Sequence, residues 1–150
     1  MMKRLSPLLK LFLSFAFLLF CGSSCEKGSL EGVRNDELNT VVQLDLNEKS
    51  LVNKEFVIEV IKINDSRCPA DVQCIWAGNA SVQFKTSSLN QADQLIDLCI
   101  GKCDLSFKTT DKINFTINSN NYTLLLKDVT PYPKKEGSKE KKIVFTISRN

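Results

Sequence analysis

Apolar and polar positions alternate along four stretches of this chain. Val42, Leu44 and Leu46 are separated by Gln43 and Asp45, and Ala80, Val82 and Phe84 by Ser81 and Gln83. Ile113, Phe115 and Ile117 are separated by Asn114 and Thr116, and Ile143, Phe145 and Ile147 by Val144 and Thr146. A period of two puts successive side chains on opposite faces, as in antiparallel strands with one face buried and one wet. Phe56 to Ile63 and Tyr122 to Val129 are largely apolar on both faces, which suits central strands. Leu95 to Ile100 and Leu105 to Phe107 are shorter strand candidates. Turn formers stand between the runs: Asn64-Asp65, Gly78-Asn79, the Asn/Ser cluster from Asn118 to Asn121, and Pro131-Tyr132-Pro133. No segment of useful length has a helical period. The expected fold is all-β, a single antiparallel β-sandwich or small barrel over residues 38–150.

The start of the chain has a different pattern. Met1-Met2-Lys3-Arg4 precedes a mostly apolar run from Leu8 to Phe20, then Cys21-Gly22-Ser23-Ser24-Cys25. The run is shorter than the roughly 20 residues a membrane-spanning helix needs. A basic start, a short apolar core and small residues before a cysteine read as a cleaved export leader of the bacterial lipoprotein type, residues 1–24. Small residues precede Cys25, whereas bulky Phe20 precedes Cys21. Lipidation at Cys25 also leaves an even set of cysteines: Cys68, Cys74, Cys99 and Cys103. Cys25 is therefore the expected anchor, with an unlipidated secreted protein as the alternative. Residues 25–37 are polar and carry Gly28 and Gly32, which reads as a tether. The dozen residues after Cys25 reach about 40 Å fully extended, so the domain is expected to stand off the membrane rather than lie on it.

Composition narrows the functional classes. Lys3, Arg4 and Lys10 leave with the leader and no acid does, so 20 basic and 17 acidic residues become 17 of each. A near-neutral exported domain lacks the basic face that nucleic-acid binding requires. The Lys-rich run from Lys134 to Lys142 reads as a solvated hairpin loop. The chain has no histidine, which removes Ser-His-Asp and Cys-His catalysis and the two-histidine zinc helix. No carboxylates stand in a telling pair, so no catalytic constellation is recognisable and no cofactor is expected.

The densest segment runs Asp65-Ser66-Arg67-Cys68-Pro69-Ala70-Asp71-Val72-Gln73-Cys74-Ile75-Trp76-Ala77-Gly78-Asn79-Ala80, and a second one runs Leu126-Lys127-Asp128-Val129-Thr130-Pro131-Tyr132-Pro133. With these, the chain resembles small uncharacterised exported proteins of Bacteroidetes-type bacteria that carry a D-S-R-C-P-x-D-V-x-C-x-W-A-G motif and a later strand of this kind. The resemblance implies a lipoprotein or secreted β domain and no particular activity. The Cys99/Cys103 pair lies outside the shared pattern.

Four cysteines in an oxidising compartment pair, and three connectivities exist. Pro69 favours a turn that lets Cys68 meet Cys74, and Gly101 permits the tighter reversal that Cys99 and Cys103 need. With Cys99/Cys103 as an added pair, each pair is expected to close on itself. Such short loops return about 2 kcal/mol each by chain entropy, against about 3.7 kcal/mol for a bridge from Cys68 to Cys99. Local bridges thus shape loops more than they hold a fold. Spacings of C-x5-C and C-x3-C do not match the paired C-x2-C of zinc ribbons, and no metal is expected.

Three residues of the clamped loop are candidates for recognition: Arg67, Asp71 and Trp76. Arg67 and Asp71 are placed to pair across the loop. Trp76, just past Cys74, is expected to plug the sandwich core, the alternative being a stacking platform for a sugar or peptide. Gly78 is expected to supply a special backbone angle. The functional expectation is a lipid-anchored binding or accessory module on the cell envelope, facing the periplasm or on the outer membrane, held by its N-terminal lipid and binding an unidentified protein or glycan. The alternative is a secreted protease inhibitor presenting Arg67-Cys68 on the rigid Cys68–Cys74 loop.

Overall fold

The structure is a computed structural model that describes residues 34–136 and 140–150. The expected leader, the expected Cys25 anchor and the expected tether up to residue 33 lie outside the described residues. Ten strands follow in order: β1 (Arg34–Asp36), β2 (Val41–Leu44), β3 (Lys49–Val52), β4 (Phe56–Asp65), β5 (Asn79–Ser88), β6 (Gln91–Cys103), β7 (Ser106–Lys108), β8 (Asp111–Ile117), β9 (Asn120–Thr130) and β10 (Lys142–Arg149). They form two sheets, β1-β3-β4-β5-β6-β7 and β2-β10-β9-β8. All pairings are antiparallel except β1 with β3. The sheets do not close on each other, so the molecule is a β-sandwich rather than a barrel.

The four alternating stretches lie in β2, β5, β8 and β10, and the two doubly apolar runs lie in β4 and β9, each flanked by a strand on both sides. Inward residues of the two sheets make one core. Phe84 of β5 meets Phe145 of β10 edge to face at 5.2 Å, and Phe56 of β4 meets Tyr122 of β9 at 5.0 Å. Offset and edge-on ring pairs of this kind add to the burial term. In β2 the alternation stops at Leu44, and Leu46 is exposed in the turn before β3. Asn118 and Ser119 both have positive φ, the geometry that suits a two-residue hairpin between β8 and β9.

Two boundaries differ from the sequence expectation. Arg34–Asp36, read as part of the tether, pair with Ser50, Leu51 and Val52, so the domain begins before residue 38. Asn64-Asp65, read as a turn, are the last residues of β4, paired with Ser81 and Ala80. Backbone pairing with a neighbouring strand outweighs the turn preference of Asn and Asp there.

Two bulges prepare one end of the sandwich. Val60 pairs with Phe84 and Lys62 with Gln83, so Ile61 is an extra residue in β4. Phe145 pairs with Leu126 and Val144 with Asp128, so Lys127 is an extra residue in β9. One extra residue flips the faces of everything beyond it. Phe56, Ile58 and Val60 face inward before the first bulge; after it, Ile63 packs on the core and Asp65 turns in. In β9 the inward set changes from Tyr122, Leu124 and Leu126 to Val129.

Candidate functional site

The end of the sandwich reached by Asp65 gathers the loop 66–78, the β6–β7 turn, the start of β8 and the β9–β10 loop. Both disulfides are here. Cys68 is bonded to Cys74 with Cα atoms 5.9 Å apart, and Cys99 to Cys103 at 6.1 Å. Four extended residues span about 13 Å, so the second bridge requires a sharp bend in β6. Gly101 supplies it with φ +92°. The backbone angle expected of Gly78 is also found, φ +66°, and a Cβ there would sit 1.9 Å from the Ser66 carbonyl oxygen. Only glycine tolerates such an approach.

Arg67 is the hub of this end. Its Nε and Nη2 donate to the two carboxylate oxygens of Asp65, each at 2.8 Å. Nη2 also donates to the Val129 carbonyl, and Nη1 lies 3.6 Å from Asp128. The Tyr132 ring covers the guanidinium, 4.4 Å from its carbon, a cation–π contact. From the other side, Lys141 Nζ reaches Asp65 at 2.8 Å and donates to the Pro131 carbonyl at 2.6 Å. Burial works to raise the Asp65 pKa, but hydrogen bonds from Arg67 and Lys141 outweigh it and hold the carboxyl below its ordinary value. Burial likewise disfavours charged Arg67, and Asp65 and then Asp128 more than compensate, raising its pKa.

These contacts revise four expectations. Arg67 pairs with Asp65 rather than Asp71, because residues two apart at a strand end point the same way. Asp71 instead accepts from the Lys135 amide at 2.9 Å. Arg67 is only 7% exposed, so it is not presented to a partner. Trp76 is 74% exposed and does not plug the core, where Phe56, Phe84, Phe145 and Tyr122 already fill the space. Lys141, within the run read as a solvated loop, is half-buried and paired with Asp65.

The two motif segments, far apart in sequence, therefore meet. Ala70 donates to the Pro133 carbonyl at 3.0 Å, beside the Arg67 contacts to Asp128, Val129 and Tyr132. Above them lies a groove of about 350 Å³ whose walls include Arg67, Gly78, Gly101, Phe107, Asp128 and Tyr132. Phe107 and Tyr132 expose aromatic surface along it, and Trp76 directly precedes the lining residue Ala77. Lys108 and Lys127 add cationic groups, the first paired with Asp111 at 2.9 Å. Asp111 also accepts from the Cys99 amide at 3.0 Å, tying β8 to the bend of β6.

The groove offers apolar faces with a few fixed polar groups, the composition of a binding site. Tyr132 and Asp128 stand in the second motif segment, but nothing in their spacing announces that they close over Arg67. Phe107 carries no sequence signal beyond its place in a short strand. Comparison with known protein families, curated proteins and solved structures finds no match.

Proposed function

We propose that the protein is a binding module of the bacterial cell envelope, lipid-anchored through Cys25, whose ligand site is the groove between the two disulfide-clamped segments. One observation carries this reading. Both walls are stiffened by short disulfides, and the aromatic side chains between them are left uncovered. Rigid walls lower the ordering cost of binding, and exposed aromatic faces supply contact area. The two disulfides accord with an oxidising compartment outside the cytoplasm. The protease-inhibitor alternative loses its support, since a presented Arg67 is what it required and Arg67 is buried. A protein or glycan of the envelope is the proposed partner, and no catalytic role is assigned.

The test is photo-crosslinking on the intact chain in its own envelope. A photoreactive residue replaces Lys127 in the groove or Leu89 at the opposite end. A discrete adduct from position 127 that is absent from position 89 supports the reading. No adduct from 127 beyond that seen from 89 overturns it.

A further inference from the structure

The clamped end exposes apolar residues at the tips of adjacent loops. Ile75 is 95% exposed in the loop 66–78, and Leu105 is 98% exposed in the β6–β7 turn. Neither has a core to return to, since a disulfide fixes the chain beside each. The exposed aromatics among the described residues, Trp76, Phe107 and Tyr132, are all at this end. The opposite end exposes Leu89 but no aromatic. Lys134 and Lys135 stand exposed on the neighbouring β9–β10 loop. Tryptophan, aliphatic tips and flanking lysines are the side chains that favour the boundary between lipid and water.

The strand directions say from which side the chain enters the domain. β4 runs toward the clamped end, β3 runs away from it, and β1 is parallel to β3. The chain thus enters β1 from the clamped side. Arg34 lies level with Ser50, and Ser50 with Ile58, seven residues short of Asp65 along β4. With Ile61 bulged, that stretch matches six residues of β5, Thr86 to Ala80, and covers about 20 Å. From Cys25 to Arg34 there are nine residue steps, which span at most about 32 Å in any conformation. A lipid on Cys25 then holds the membrane surface no more than about 12 Å beyond Asp65 when the clamped end points to it. The loops that carry Ile75 and Leu105 project into that same interval.

We propose that the clamped end docks on the bilayer that holds the lipid of Cys25, with Ile75, Trp76 and Leu105 seated among the lipid headgroups. The groove then opens at the membrane surface, which restricts its ligands to molecules found there. This inference rests on the lipid-anchor reading above. A protein surface is the other candidate occupant, and the tether length favours the bilayer, because it leaves little room for a partner between the tips and the membrane.

Trp76 is the only tryptophan of the chain, so its fluorescence reports on the tips alone. The full-length lipoprotein is reconstituted into phosphatidylcholine vesicles with plain or acyl-brominated lipid, and flotation and emission are both measured. The expected result is flotation with Trp76 emission at least halved by the brominated lipid. The Ile75→Asp/Leu105→Asp double variant is expected to float equally and lose the quenching. Flotation with Trp76 unquenched and fully open to acrylamide overturns the docking and leaves the anchor standing, which points to a protein or glycan on the tips. A chain that does not float, with an unacylated mass at Cys25, overturns the anchor and the docking together.

Discussion

The amide of Lys102 donates to the carbonyl of Gly78 at 2.8 Å, and this bond joins the two disulfide-clamped segments. Lys102 lies inside the Cys99–Cys103 bridge, and Gly78 closes the loop that the Cys68–Cys74 bridge shapes. A Cβ on Gly101 would sit 2.8 Å from the same Gly78 oxygen. The groove therefore depends on two glycines in tight quarters, Gly101 against the backbone of Gly78 and Gly78 against that of Ser66.

Gly78→Ala is expected to destabilise the domain by about 3 kcal/mol, combining a left-handed backbone with a clash. The atom it meets is the Ser66 backbone oxygen, so no side chain can swing aside. The midpoint of urea unfolding reads this directly, and a midpoint equal to that of the parent contradicts the geometry.

Replacing Cys99 and Cys103 together by Ser is expected to cost about 2 kcal/mol, the entropy of a short closed loop. The loss should be local. Hydrogen exchange at the Lys102 amide is expected to quicken by local opening, while the amides of Phe84 and Leu124, in the middle of the two sheets, keep the protection of global unfolding. Equal acceleration at all three sites would mean that the bridge holds the sandwich and not only the groove.

Period-two patterning found the strands that build the core, because one buried face imposes alternation wherever two sheets pack. It could not find β1 or β3, whose few residues pair at a sheet edge or against β4 without a long alternating run. Nor could it place the bulges at Ile61 and Lys127, since a bulge is a property of two paired strands and not of one. The site suffered most from this. Asp65 faces Arg67 and Lys141 only because Ile61 shifts the register, so sequence alone offers Arg67 a partner within the loop, at Asp71. Trp76 was misplaced for a related reason. A tryptophan beside a disulfide plugs a sandwich when the bridge crosses the core, whereas Cys68–Cys74 closes a surface loop.

Trp76→Ala is accordingly expected to change stability by no more than about 0.5 kcal/mol, the range of exposed substitutions. A buried tryptophan would cost about 3–5 kcal/mol. Thermal unfolding separates the two figures, and a loss in the larger range would return Trp76 to the core.

Arg67→Met is expected to cost about 3 kcal/mol, because it leaves the buried Asp65 carboxylate with Lys141 as its remaining cation. Arg67→Lys keeps the charge but cannot hold both Asp65 oxygens while also reaching Val129, so it should fall between parent and Met. Equilibrium unfolding of the three proteins ranks them. A Lys variant as stable as the parent would show that charge alone, and not the planar fork, is what this end requires.

Acid should weaken the protein through two carboxylates at opposite ends. Asp65 is held below its ordinary value of 3.8, with burial opposed and outweighed by Arg67 and Lys141. Glu55, in the turn before β4, is held below 4.5, first by the hydrogen bond from the Tyr122 hydroxyl, against burial, and then by Asn53 and Arg149. A carboxyl whose pKa is lower in the folded state stabilises the fold in full above its unfolded pKa. That contribution fades as pH falls through the unfolded value and is gone below the folded one. Stability should therefore be flat in these two groups at neutral pH and decline from roughly pH 5 downward. The Asp65→Asn/Glu55→Gln protein is expected to be less stable at pH 7 and to have a shallower slope of unfolding free energy below pH 5. Unfolding in urea at pH 7, 5, 4 and 3 tests both halves, and a variant that keeps the parent's acid slope would assign acid sensitivity to other carboxylates.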